Sequence, residues 1–130
     1  LQEIYHALKK GGNCVIMTNS HARIKRHILS DFPGIVAIDV KRFPSLPYIR
    51  KTMKKIGFRN VYHYVVQHGE ECVSTDEYLK RVRNKYISTL TLLSEEAFQK
   101  GLKIFEQRIR KKYGAQIRRI LGFDFIVGQK

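Results

Sequence analysis

Leu1-Gln2-Glu3-Ile4-Tyr5-His6-Ala7-Leu8-Lys9-Lys10-Gly11-Gly12-Asn13-Cys14-Val15-Ile16-Met17-Thr18 is the stretch on which the fold turns. Leu1, Ile4, Tyr5 and Leu8 recur at helical spacing, and the segment closes on two lysines and then two glycines, a basic last turn followed by a stop. Residues 1–10 therefore read as the end of a helix. Cys14 to Met17 is a short unbroken apolar run ending in Thr18-Asn19-Ser20, the pattern of a strand buried on both faces. Strands of that kind belong to parallel or mostly parallel sheets with helices on both sides.

Working outward, Ala22 to Ser30 is a basic stretch with the makings of a short helix. Phe32-Pro33-Gly34 breaks it, and Ile35 to Val40 is expected to be irregular and extended. Ser45 is an N-cap and Pro47 fits a first turn. Leu46, Ile49, Met53 and Ile56 form one apolar stripe that stops at Gly57, so a helix is expected there. Val61 to Gln67, rich in aromatic and β-branched residues, reads as a strand directly after it. Ser74 with Glu77 forms a capping box for a helix whose face is Leu79, Val82, Tyr86, Leu90 and Leu93. Ser94, with Glu95 and Glu96 behind it, opens a last long helix showing Phe98, Leu102, Phe105 and Ile109 on one side. Phe123, Phe125 and Val127 alternate with Asp124, Ile126 and Gly128 in a terminal strand.

With its helix end, Gly-Gly turn and apolar strand, the opening stretch resembles the approach to the fifth strand of class I S-adenosylmethionine-dependent methyltransferases. That family usually has Lys-Pro-Gly-Gly at the turn, and here Lys10 stands in place of the proline. Pro44-Ser45-Leu46 opening a helix that runs into Ile56-Gly57-Phe58-Arg59-Asn60-Val61 is similar to the family's passage into its sixth strand. Phe123 to Gln129 looks like the seventh strand, which in the family enters the sheet antiparallel between the fifth and sixth. The resemblance implies an α/β fold, the C-terminal part of a Rossmann-like methyltransferase sheet comprising strands five to seven, with residues 75–113 inserted as a helical cap. It predicts the order 13–18, 123–128, 61–67, the middle segment antiparallel to both neighbours.

The family's Gly-x-Gly turn after the first strand and the acidic ribose ligand after the second have no counterpart in the chain. Gly11-Gly12 follows a helix and precedes a strand, the reverse of the order that lets a backbone cradle a cofactor. The resemblance thus implies that S-adenosylmethionine belongs to the full-length protein and that its binding half lies upstream of Leu1. No cofactor-binding residue is assigned here, and residues 1–130 alone are expected to be inactive. Without its upstream neighbour, the strand at 13–18 would leave a sheet edge open to self-association.

The length of 130 residues and 43% hydrophobic content suit a globular domain with a core. No apolar run approaches the ~18–20 residues of a membrane span and no signal-peptide pattern opens the chain, so it reads as soluble and cytoplasmic. Cys14 and Cys72 stand apart, the five histidines are scattered, and no metal site is expected.

Ligands of open α/β sheets sit beyond the carboxyl ends of the strands, so Thr18, Asn19, Ser20 and His21 are the candidates for facing the methyl acceptor. His21 is a candidate general base. Arg81 is a candidate to pair with a carboxylate or phosphate on the acceptor, with Tyr86 beside it on the inserted helix. No catalytic residue is assigned.

A small-molecule acceptor is favoured. The net charge of +14 leaves room for a rival, a non-catalytic basic α/β module that binds nucleic acid. Residues 99–119 carry eight Lys and Arg against one Glu, and this charge is expected to be concentrated on one helix.

Overall fold

The computed structural model describes residues 1–130. Strands β1 (Asn13–Thr18), β2 (Arg59–Ser74) and β3 (Gln116–Gln129) form one sheet in the order β1-β3-β2, with β3 antiparallel to both neighbours. The predicted strand order and direction are therefore the observed ones. Helices α1 (Gln2–Ala7), α2 (His21–Arg26), α3 (Ile35–Arg42), α4 (Leu46–Ile56), α5 (Thr75–Arg83) and α6 (Glu95–Tyr113) complete a mixed α/β fold. No helix is long and apolar enough to cross a membrane.

The register divides the sheet into two unlike faces. Cys14, Ile16 and Thr18 lie opposite Gly128, Ile126 and Asp124, and this face is covered. α4 packs there because Ser45 caps its start, accepting from the Tyr48 amide, and Gly57 ends it at a φ of 118°, a conformation other residues adopt only with strain. The stripe between these signals sends Ile49 and Met53 into a core with Cys14, Phe58, Val61 and Ile126. Val15, Met17, Tyr62, Tyr64, Val66 and Phe123 occupy the other face, and all six are exposed. Val15 and Met17 stand 56% and 59% open, so the strand read as buried on both faces is covered on one.

A second, larger core lies where β2 and β3 run on together past β1. Leu79, Val82, Leu90, Phe98 and Phe105, all expected to pack the helical cap, are buried there; Leu102 sits at its margin. Ile28, Leu29, Phe32 and Ile35 enter the same core, which ties residues 75–113 to the segment after β1.

Three local expectations are corrected. Residues 35–40 are helical, as part of α3, and not extended. Ile35, Val36, Ile38 and Val40 are β-branched and weak helix formers, but burial of Ile35 and bonds from the other face override them. Asp39 accepts from the Thr89 hydroxyl at 2.6 Å, and Arg42 donates to Thr89 at 2.9 Å and to Ser88 at 3.2 Å.

The helix expected from the Ser74 cap through Leu93 stops at Arg83. Lys85 turns left-handed at a φ of 50°, its ammonium pairs with Glu95 at 2.9 Å and lies over the Phe98 ring, and Leu90 reaches the core from a 3-10 turn, Ser88–Leu92. β2 and β3 are also longer than the apolar patterns suggested, extending through Glu71 and Arg119, which face each other across the strands at 2.6 Å.

Arg118 and Arg119 consequently belong to β3 and not to the basic helix. Much of that basic run is satisfied within the chain: Arg110 pairs with Asp76 and Glu106, Lys112 with Asp31, and Lys100 with Glu96.

Candidate functional site

The chain leaves β1 at Thr18 and turns at once into α2, because the Ser20 side chain caps the helix by accepting from the Arg23 amide at 3.2 Å. The register sets Asp124 opposite Thr18 and beside Val65 of β2. Asp124 is only 3% exposed and is the hub of the site. Its Oδ2 accepts from the Ser20 amide at 2.9 Å and from Arg23 Nε at 3.0 Å, and its Oδ1 lies 2.9 Å from His63 Nε2. An ionised carboxylate can only accept, so His63 carries its proton on Nε2. Burial alone would push the Asp124 carboxyl up; the Ser20 amide, His63 and Arg23 more than offset this and bring it down to about 2. One buried anion thus joins the end of β1, α2, β2 and β3.

Beside this hub a cavity of about 330 Å³ opens beyond the carboxyl end of β1. Its walls are Asn19, Arg23 and Ile24 from the start of α2, His27, Leu29 and Ser30 from the turn that follows, Ile35, Asp39 and Phe43 around α3, and Ile87, Ser88 and Thr89 from the 3-10 turn after α5. The size lies at the lower end of small-ligand pockets, and the mixture of apolar wall with a few convergent polar groups is typical of them.

His27 Nδ1 accepts from the Leu29 amide at 3.2 Å, while Nε2 lies 3.1 Å from a guanidinium nitrogen of Arg119. A neutral imidazole has a single acceptor nitrogen, so only one of these contacts is a hydrogen bond in a given tautomer. Burial, and then the charge of Arg119, push His27 down to about 4, against a smaller pull from Asp39. His27 is therefore an uncharged polar wall at neutral pH and too weak a base to take up a proton there.

Of the six residues singled out in the sequence, only Asn19 lines the cavity. Thr18 is buried at the end of β1 on the covered face of the sheet, and Ser20 is committed to its cap and to Asp124. His21 Nε2 lies 2.8 Å from the Phe43 carbonyl, which ties α2 to the end of α3. Arg81 is held by Glu71 at 2.8 Å, and the Tyr86 hydroxyl meets that of Tyr78 at 2.8 Å. Neither reaches the cavity.

The sequence matches no known protein family and no curated protein.

Apart from Asn19, the residues that form the cavity are not among the sequence candidates, although the sequence carries a signal for two of them. Asn19, Arg23 and His27 recur every fourth position immediately after β1, a polar stripe at helical spacing on the segment where a ligand is expected. Nowhere in the chain do three His, Cys, Asp or Glu side chains come together in a way that could hold a metal ion.

Proposed function

We propose that the chain is the C-terminal part of a class I S-adenosylmethionine-dependent methyltransferase and that the cavity beyond β1 holds a small-molecule methyl acceptor. The observation that carries this reading is the sheet order β1-β3-β2, with the last strand of the chain reversed between two strands that run parallel to each other. This is the arrangement of strands five, seven and six in that family. The cavity lies at the strand end where such a sheet binds ligands.

The residues present do not themselves make a cofactor site. The two passages from strand to helix, Thr18 to His21 and Ser74 to Thr75, contain no glycine over which a backbone could approach a cofactor. The cofactor half is therefore assigned to an upstream segment. The sulfonium of that cofactor brings an activated methyl group, so the acceptor side has chiefly to align the attacking atom and exclude water. Leu29, Ile35, Phe43 and Ile87 supply the apolar wall for that task, and Arg23 and Asn19 the polar contacts that orient the acceptor.

The exposed face of the sheet fits this reading as the surface against which the upstream half packs. β1 is also an edge, with one side of its backbone unpaired. The 130-residue chain is accordingly expected to elute from a sizing column as a dimer or larger species, and a version extended upstream through its reading frame as a monomer. A monomeric 130-residue chain would show that the face and edge need no cover. The activity is tested by incubating the extended protein with S-adenosylmethionine carrying a labelled methyl group and a mixture of small-molecule acceptors. Label is expected in a small molecule and not in nucleic acid.

A second reading, nucleic-acid binding without catalysis, is favoured by one observation. Arg50, Lys51, Lys54 and Lys55 on α4, and Arg59 after it, are exposed and engage no acid within the chain. Binding to nucleic acid that weakens steeply with salt would support this reading over the first.

A further inference from the structure

We propose that Arg23 is the anchor for an oxyanion on the small molecule that the cavity takes, so that the acceptor is an acid, a carboxylate or a phosphate ester on an apolar body. The proposal rests on the methyltransferase reading only for the word acceptor. The binding site itself is argued from the residues.

Arg23 lines the cavity, and its guanidinium is anchored through one nitrogen with the other two unspent. Nε donates to the buried Asp124, which fixes the plane of the guanidinium, while Nη1 and Nη2 make no hydrogen bond within the protein. Beneath them lies Gly122 of β3. A Cβ at that position would stand 2.8 Å from the Val66 carbonyl and 3.2 Å from Arg23 Nη1, so the neighbouring strand is what chiefly requires glycine there, and the bare backbone also gives the guanidinium room against the strand. The side chain is 26% exposed, open enough to meet a ligand and sheltered enough for the contact to count. Two terminal nitrogens in one plane match the two oxygens of a carboxylate or phosphate.

The other charged groups around the cavity do not oppose this assignment. Asp39 lines the wall, but its carboxylate accepts from Thr89 at 2.6 Å and lies 3.8 Å from Arg42, so its charge is met inside the protein. Arg119 stands behind His27 and adds positive potential at the wall, partly balanced by Glu71. The apolar residues Leu29, Ile35, Phe43 and Ile87 leave room for a hydrocarbon body.

The test compares phenylacetate and phenyl phosphate with phenylacetamide, an uncharged isostere, binding to the 130-residue chain in the absence of cofactor. Affinity and the titration of His27 are followed by nuclear magnetic resonance. At least one acid is expected to bind more tightly than the amide by about tenfold or more, the yield of a bidentate charged contact over a neutral one. Arg23→Gln is expected to abolish that preference and Arg23→Lys to retain part of it. Bound acid should raise His27 above its value of about 4, because a nearby anion favours the imidazolium, whereas the amide should not.

A preference for phenyl phosphate would assign the phosphate ester, and one for phenylacetate the carboxylate. Equal affinity for acids and amide, no acid binding at millimolar concentration, or a preference that survives Arg23→Gln would each overturn the proposal. The comparison of acid with amide needs no variant, so it stands even if Arg23→Gln does not fold. Acid preference without methyl transfer by the extended protein would uphold this site and remove the methyltransferase reading; transfer without acid preference would do the reverse.

Discussion

Replacing Asp124 by Asn is expected to destabilise the protein by about 3 kcal/mol at neutral pH, the cost of losing charge-assisted bonds to a buried carboxylate. An amide keeps one acceptor oxygen but turns an NH2 group toward donors, so Ser20, Arg23 and His63 cannot all be served. Arg23 and His63 are each partly open to water, which holds the loss below that of a fully enclosed pair.

Acid supplies an independent check. The native carboxyl lies at about 2, against an ordinary value of 3.8. The stability it contributes is therefore present in full above about pH 4 and is lost as the pH falls toward 2. The gap between wild type and Asp124→Asn should close over that window. Denaturant melts at pH 7 and at pH 2.5 measure both quantities, and a loss below 1 kcal/mol at pH 7 would mean that Asp124 does not organise the site.

Phe105→Ala is expected to cost about 3–5 kcal/mol, the range for deleting a buried aromatic ring from a packed core. Phe105 is fully buried, its ring centroid 5.5 Å from that of Phe32. Domains of this size are stable by about 5–15 kcal/mol in all, so the change removes a large share of what holds the fold. The effect should reach the cavity as well. Leu29 and Ile35 belong both to this core and to the cavity wall, so the variant is expected to weaken ligand binding through loosened packing. A loss below 1 kcal/mol would show that the cap does not pack as described.

The elements that declare themselves locally were legible in the sequence. α4 lies between a serine cap and a left-handed glycine, signals that act over one turn and need no tertiary partner. The strand order was legible through resemblance, because the apolar segments and the Gly-Phe passage follow a known succession. α3 was not, since its β-branched residues favour an extended chain, and burial of Ile35 with contacts to Ser88 and Thr89, nearly fifty positions away, favours the helix. The far ends of β2 and β3 were hidden for a similar reason: Glu71 and Arg119 look like solvated charges until the strands pair.

The site shows the same division. Asn19 was legible as a residue just past a strand. Asp124 read only as one member of an alternating strand, because its burial depends on three strands meeting in register and on a helix cap more than a hundred residues earlier. Arg81 had the right chemistry in the wrong place, spent on Glu71, while Arg23 has the same chemistry with its fork free.

Under the proposed reading these residues complete a methyltransferase without containing its cofactor site. Calorimetric titration with S-adenosylmethionine of the 130-residue chain, beside a version extended upstream, separates that reading from its opposite. Binding in the micromolar range is expected from the extended protein alone, with no measurable heat from the shorter chain. Micromolar binding by the 130-residue chain as a monomer would contradict the account and place the cofactor site within these residues.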